Sequence, residues 1–141
     1  MLEAFATAQS SQLRLVVGSN VPEHAELVSI PAIQQTLDWL RRTSDLVVVD
    51  CPANFSERTL TALDASSAVC LVSDATVPSL KATLDCVEVL DKLRYPGARR
   101  LLVLNRRAPL GMAQEQVTSF FGRAPDLVVH YSELFDRAAN S

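Results

Sequence analysis

The sequence predicts an α/β protein: a doubly wound, mostly parallel sheet of about five strands with helices on both faces. Three observations carry this. Five short runs, LRLVV (13–17), LVVVD (46–50), VCLVS (69–73), LLVLN (101–105) and LVVH (127–130), are apolar at consecutive rather than alternating positions. That is the pattern of strands covered on both faces. Helically spaced segments separate the runs, and such alternation implies right-handed crossovers and a parallel sheet. Aromatic residues make up only 6% of a chain that is 48% hydrophobic, so Val, Leu and Ala carry the core. That composition suits helices packed on a sheet.

The helices have local signals. PAIQQTLDWLRR (31–42) sets Ile33, Leu37 and Leu40 on one side, with Pro31 near its start and Arg41 and Arg42 at its end. Proline in the first turn and cations in the last are where helix geometry and the macrodipole favour them. SERTLTALDAS (56–66) begins with Ser56 as N-cap and Glu57 in the first turn, and Leu60 and Leu63 face inward. PSLKATLDCVEVLDKL (78–93) carries a stripe of Leu80, Leu84, Val87 and Leu90, widened by Cys86, Val89 and Leu93. YPG (95–97) then breaks the chain. MAQEQVTSFFG (112–122) is a shorter amphipathic helix closed by Gly122. SELFDRAAN reads as a final turn or helix, and LEAFATA near the start as a further helix.

At 141 residues the chain has the size of one soluble globular domain over 1–141. A net charge of −3 gives no global basic field, which argues against a nucleic-acid partner. No apolar run approaches the roughly 18 residues of a membrane span. MLEAFATAQSS lacks the basic start and apolar stretch of a secretory signal. Cys51, Cys70 and Cys86 are odd in number with no CxxC, as in reduced, cytoplasmic proteins. The expectation is a cytoplasmic protein that does not bind membranes directly.

In a doubly wound sheet, ligands sit beyond the carboxyl ends of the strands. Asp50 and Asn105 each end an apolar run, so both are expected in one crevice. A carboxylate at a strand tip suits a hydrated Mg²⁺ beside phosphates, because that ion keeps most of its waters and needs few carboxylates. Pro52 would stop the strand and fix the turn. Asn105 can both donate and accept, which suits the edge of a purine base, and Arg106 can stack on a base or reach a phosphate. Asp and Asn are also common turn formers and caps at strand ends, so spacing alone leaves both readings open.

Other candidates are weaker. Cys51 has no histidine near it in sequence; His24 and His130 are placed on a turn and a strand end, and a packed thiol is the simpler reading. No HExxH or CxxC metal spacing occurs. Arg99, Arg100, Arg106 and Arg107 bracket LLVLN; they read as a solvated rim, with an anionic-partner patch as the alternative.

At this point the order of motifs resembles a known family. Asp50-Cys-Pro52-Ala, Leu60-Thr-Ala-Leu-Asp-Ala, Val69-Cys-Leu-Val-Ser, Pro78-Ser-Leu-Lys81 and Leu102-Val-Leu-Asn105-Arg106 look like the middle of a MinD/ParA-type P-loop ATPase. They are most similar to the CpaE/TadZ branch, bacterial proteins that localise Tad (Flp) pilus assembly machinery. LRLVVGSNVPEHAELV and the final RAAN resemble further family stretches, so the resemblance runs over nearly the whole chain. It implies ATP and Mg²⁺ as the intact family's ligands, with Asp50 as a Walker-B-like, metal-side carboxylate and Asn105 and Arg106 at the base-binding end.

One departure matters. A phosphate loop needs glycine amides around the anion, a lysine and a Ser/Thr on the metal. Gly18, Gly97, Gly111 and Gly122 lie near no GK[ST], and the only lysines are Lys81 and Lys92. In the family that loop follows the first, central strand, so the chain is expected to be an incomplete MinD/ParA-like domain lacking the P-loop strand. Without that strand the 46–50 run would leave amides and apolar surface open, and exposed edges recruit other chains. Self-association through a strand edge is therefore expected, by dimerisation or a swapped element, unless the strand order is rearranged. No cofactor is expected on this chain alone. The remaining alternatives are a non-catalytic interaction domain and, last, a receiver-like module, whose acidic cluster is missing from the first strand's tip.

Overall fold

The computed structural model describes residues 6–8, 13–18, 27–106 and 111–134, which fall in two compact units divided after Ser66. The fold is α/β with a parallel sheet.

The first unit contains β1 (Ala6–Ala8), β2 (Arg14–Val16), α1 (Ile30–Thr43) and α2 (Glu57–Ala65). β1 and β2 pair antiparallel, Thr7 opposite Leu15. The helix expected over LEAFATA is therefore corrected to a strand at residues 6–8. A helix that short is marginal because nucleation fixes several residues for one hydrogen bond, whereas β2 offers a ready ladder.

α1 starts where Ser29 Oγ accepts the Ala32 amide at 3.4 Å, with Pro31 in its first turn. Leu37 is buried, with Ile33 and Leu40 half-buried beside it. Arg14 of β2 ties down the helix's far end. Its guanidinium donates to the Thr43 carbonyl and to Ser44 Oγ (2.8 Å) and lies 5.5 Å from the Trp39 ring centroid, within cation–π range. α2 packs on α1. It buries Thr59 and Ala62 more deeply than the expected Leu60 and Leu63, which are half-buried.

LVVVD (46–50) differs most from expectation. None of its residues belongs to a strand, and Leu46 and Val48 are 80% and 84% exposed. β-branched side chains favour extended backbone, but a strand exists only through a partner's ladder, and no described residue supplies one. The expected five-stranded count is corrected accordingly: among the described residues the parallel sheet has three strands, and β1–β2 form a separate antiparallel pair.

The second unit contains β3 (Val69–Ser73), α3 (Val77–Lys92), a 3₁₀ turn (Gly97–Arg99), β4 (Arg100–Asn105), α4 (Gln114–Phe121) and β5 (Leu127–Val129). The sheet order is β3-β4-β5, all parallel, with Ser73 opposite Leu104 and Asn105 opposite Val129. Ala75, Leu80, Leu104 and Val117 form the core, packed by Met112, Phe120, Phe121 and Val128. Full burial of a Leu side chain contributes about 1.5–3 kcal/mol, so Leu80 and Leu104 anchor the sheet face under α3 and α4. The opposite face is barer: Cys70, Val72, Leu101 and Leu127 are exposed.

α3 ends in a Schellman pattern, Tyr95 N donating to Leu90 O (2.9 Å) and Arg94 N to Asp91 O (3.0 Å), with Arg94 left-handed at φ 62°. α4 ends at left-handed Gly122, φ 67°, as its sequence predicts. Arg100 is not a solvated rim residue. Its side chain is 8% exposed; Nη2 donates to Asp91 Oδ1 at 2.6 Å and to the Tyr95 carbonyl, so it braces the start of β4 against the end of α3.

Candidate functional site

Asp50 and Pro52 belong to the first unit. Asn105 and Arg106 belong to the second.

The Asp50 loop is built by its own polar residues. Asn54 N donates to the Pro52 carbonyl at 2.7 Å, closing a tight turn. Asn54 Oδ1 then accepts from Ser56 N and Thr59 Oγ1, both at 3.1 Å, and Ser56 Oγ accepts Thr59 N at 3.4 Å. Asn two residues before a helix cap forms this kind of local turn readily. Asn54 was not among the expected site residues; its spacing to Ser56 was the available signal. The result is a fixed turn with the exposed Asp50 at its entrance. Asp50's carboxylate takes no hydrogen bond or ion pair from a described residue. Cys51 is half-buried, and its thiol is pushed up first by burial and then by the adjacent Asp50 charge, which disfavours a thiolate nucleophile.

An open carboxylate fits the protein's share of a hydrated Mg²⁺, which takes one or two carboxylates and completes its shell with water and phosphate. Asp50 is the residue that would hold it. The phosphate side has no counterpart, since the chain has no GK[ST]. Among the described residues no group of three His, Cys, Asp or Glu side chains gathers as a metal cluster.

In the second unit, the carboxyl end of the sheet gathers a polar rim. Asn105 closes β4, half-buried, and Arg106 N donates to the Val129 carbonyl at 2.9 Å, continuing the ladder by one bond. Neither the Asn105 amide nor the Arg106 guanidinium is engaged by a described side chain. Arg107 lies outside the described residues.

Next to them is the β3–α3 turn. Ser73, buried, lies 3.1 Å from Ser79 Oγ, which accepts Asp74 N at 3.0 Å. Asp74 Oδ1 accepts Thr76 N (3.0 Å) and Thr76 Oγ1 (2.5 Å). The Ala75 carbonyl accepts Met112 N at 3.2 Å, and a Cβ on Gly111 would come within 3.2 Å of Ala75 Cβ. A side chain at 111 would make Ala75 give by a few tenths of an ångström, and the Met112–Ala75 bond seats the loop entering α4 on the turn after β3. Ser73, Asp74 and Ser79 were missed in the sequence because Ser and Asp are ordinary turn residues. The rim can hydrogen-bond and, through Arg106, offer a cation. His130 is exposed just past β5.

No family profile and no curated protein matches the sequence. Solved structures do. A ParA family ATPase from Chlorobium tepidum TLS superposes with a TM-score of 0.85 at 16% identity, covering 96% of this chain and 56% of that one. The fold is that of the ParA and MinD ATPases. The septum site-determining protein MinD of Pyrococcus horikoshii OT3, solved with Mg-ADP, gives a TM-score of 0.76 at 20% identity over 97% of this chain and 57% of that one. The cell division ATPase MinD of Pyrococcus furiosus gives 0.76 at 20% identity, covering 96% and 58%. The chain thus spans between 56% and 58% of the length of these structures. No helix among its described residues is long and apolar enough to cross a membrane.

Proposed function

We propose that these residues form a partial or degenerate ATPase domain of the CpaE/TadZ kind. Its role is to localise bacterial pilus-assembly or secretion machinery in the cytoplasm, and it binds little nucleotide by itself. The supporting observation is the ParA/MinD fold over 96% of the chain, joined to the ordered motifs around Asp50, Pro78 and Asn105. In this reading Asp50 is the metal-side carboxylate and Pro52 shapes its turn, while Asn105 and Arg106 face the purine. Mg²⁺, when bound with ATP, neutralises phosphate charge. The partners are pilus or secretion assembly proteins and a second copy of this chain.

Calorimetric titration of the chain with Mg-ATP is expected to give no saturable micromolar binding. Tight, Mg-dependent binding would overturn the degenerate reading. Residual contact is expected as amide NMR shifts at millimolar Mg-ADP, confined to residues 50–55 and 104–106. Shifts elsewhere, with none there, would overturn the site.

A second reading, a non-catalytic interaction domain, is favoured by the absence of GK[ST] together with the bare 46–50 run. Partner capture that survives Asp50→Ala and Asn105→Ala together would select it.

A further inference from the structure

We propose that the turn joining α3 to β4, residues 92–99, docks an acidic segment of a partner protein. This gives a chemistry to the assembly-protein partner proposed above, and it rests on that reading only in taking a protein as the occupant.

The turn is a fixed scaffold. Leu93 N donates to Val89 O at 2.9 Å, Tyr95 N to Leu90 O at 2.9 Å and Arg99 N to Pro96 O at 3.1 Å. The buried Arg100 guanidinium holds it from within, through the Tyr95 carbonyl and the Asp91 carboxylate. All these bonds lie within residues 89–100, so the turn is shaped by its own residues.

Three cations stand on this scaffold. Lys92, Arg94 and Arg99 are exposed. Lys92 reaches Glu88 only at 4.0 Å, and neither the Arg94 nor the Arg99 guanidinium is engaged by a described residue. Arg94 holds φ 62°, where the Schellman motif favours glycine. The α3 dipole favours a cation in the last turn, and Lys92 fills that place. Arg94 lies past it in strained backbone, so helix stability does not account for an arginine there, and a strained residue of this kind points to a use for its side chain.

The side chains select the occupant. A guanidinium takes a carboxylate through two parallel N–H bonds, so Arg94 and Arg99 suit two carboxylates of one segment. Leu93, 45% exposed between Lys92 and Arg94, offers a contact to an apolar side chain. Asp91 and Glu88 border the turn with side chains 62% and 70% exposed. A lipid surface or a DNA backbone presents unbroken negative charge and would press on both of them. A short peptide can set its carboxylates at the arginines alone, because like charges brought together at an interface are penalised. The fitting partner is a protein segment with spaced Asp or Glu and a Leu-like residue.

Fluorescence anisotropy of the full chain with a fluorescein-labelled peptide, two repeats of Glu-Glu-Leu-Glu, is expected to show saturable, salt-sensitive binding. Two repeats of Gln-Gln-Leu-Gln should not bind. Arg94→Gly should weaken the acidic peptide about three- to fivefold, the size of one exposed ion pair. The same variant should unfold at higher urea, and a loss of binding joined to a gain in stability separates docking from damage to the fold. Arg94→Lys should retain most of the affinity, and Arg99→Glu should abolish it. No saturable binding, equal binding of the two peptides, undiminished binding by Arg94→Gly, or a tighter hold on phosphatidylserine vesicles or duplex DNA would each overturn the proposal. Titration with Mg-ATP tests the ATPase reading separately, and either result there leaves these outcomes unchanged.

Discussion

Asp126 accepts the backbone amide of Leu102 at 2.6 Å and returns its own amide to the Leu102 carbonyl at 2.9 Å, so the loop leading into β5 clasps the middle of β4. The Leu102 bond holds the Asp126 carboxyl below its ordinary value of 3.8; desolvation opposes this, and Arg123, 3.1 Å away, adds to it. A carboxyl depressed in the folded state stabilises fully above its unfolded value, and the contribution fades as pH falls through the lower, folded value. Asp126→Ala should lower the melting temperature near neutral pH and flatten the acid limb below 3.8. Parallel melting curves for variant and wild type across that limb would refute it.

Arg100 and Asp91 are unequal partners. The arginine side chain is 8% exposed and the aspartate 62%, so removing each leaves a different orphan. Asp91→Ala strands a buried guanidinium and should cost about 1–3 kcal/mol. Arg100→Met leaves a carboxylate that water can solvate, and should cost less. Urea unfolding of both variants checks the order; the reverse order would sink the argument.

Arg94 holds a left-handed backbone, φ 62°, at the Schellman position after α3. A side chain there costs about 1 kcal/mol that glycine avoids. Arg94→Gly is therefore expected to stabilise the second unit, with a raised urea midpoint as the measurement.

Asn54 organises the turn between Asp50 and α2 through Ser56 N and Thr59 Oγ1. Asn54→Ala should cost about 1 kcal/mol, as loss of a helix-capping residue does. Its effect should appear in amide exchange of α2's first turn, with the β4 amides unmoved. Equal loosening of both would contradict a local role.

Much of this was legible in the residues. VCLVS became β3 at its full five residues, and Ser56 and Gly122 bound their helices as read. Such features depend on a few adjacent residues, which a sequence displays. LVVVD failed as a strand because its ladder depends on a distant partner, and LEAFATA failed as a helix because β2 competes for residues 6–8. Arg100 looked like rim for the same reason: only the chain's path brings Asp91 and Tyr95 to it. At the candidate site, Asp50 and Asn105 were visible as polar ends of apolar runs. The Asn54 and Ser73–Ser79 bonds beneath them depend on turn geometry that the letters do not encode.

Among the described strands of the parallel sheet, β4 alone is flanked on both sides. Its amide protons should be the last to trade for deuterium when the unit is placed in heavy water. Mass spectrometry following peptides across Arg100–Asn105 would then report opening of the whole unit, while β3 and β5 report only fraying at its margins.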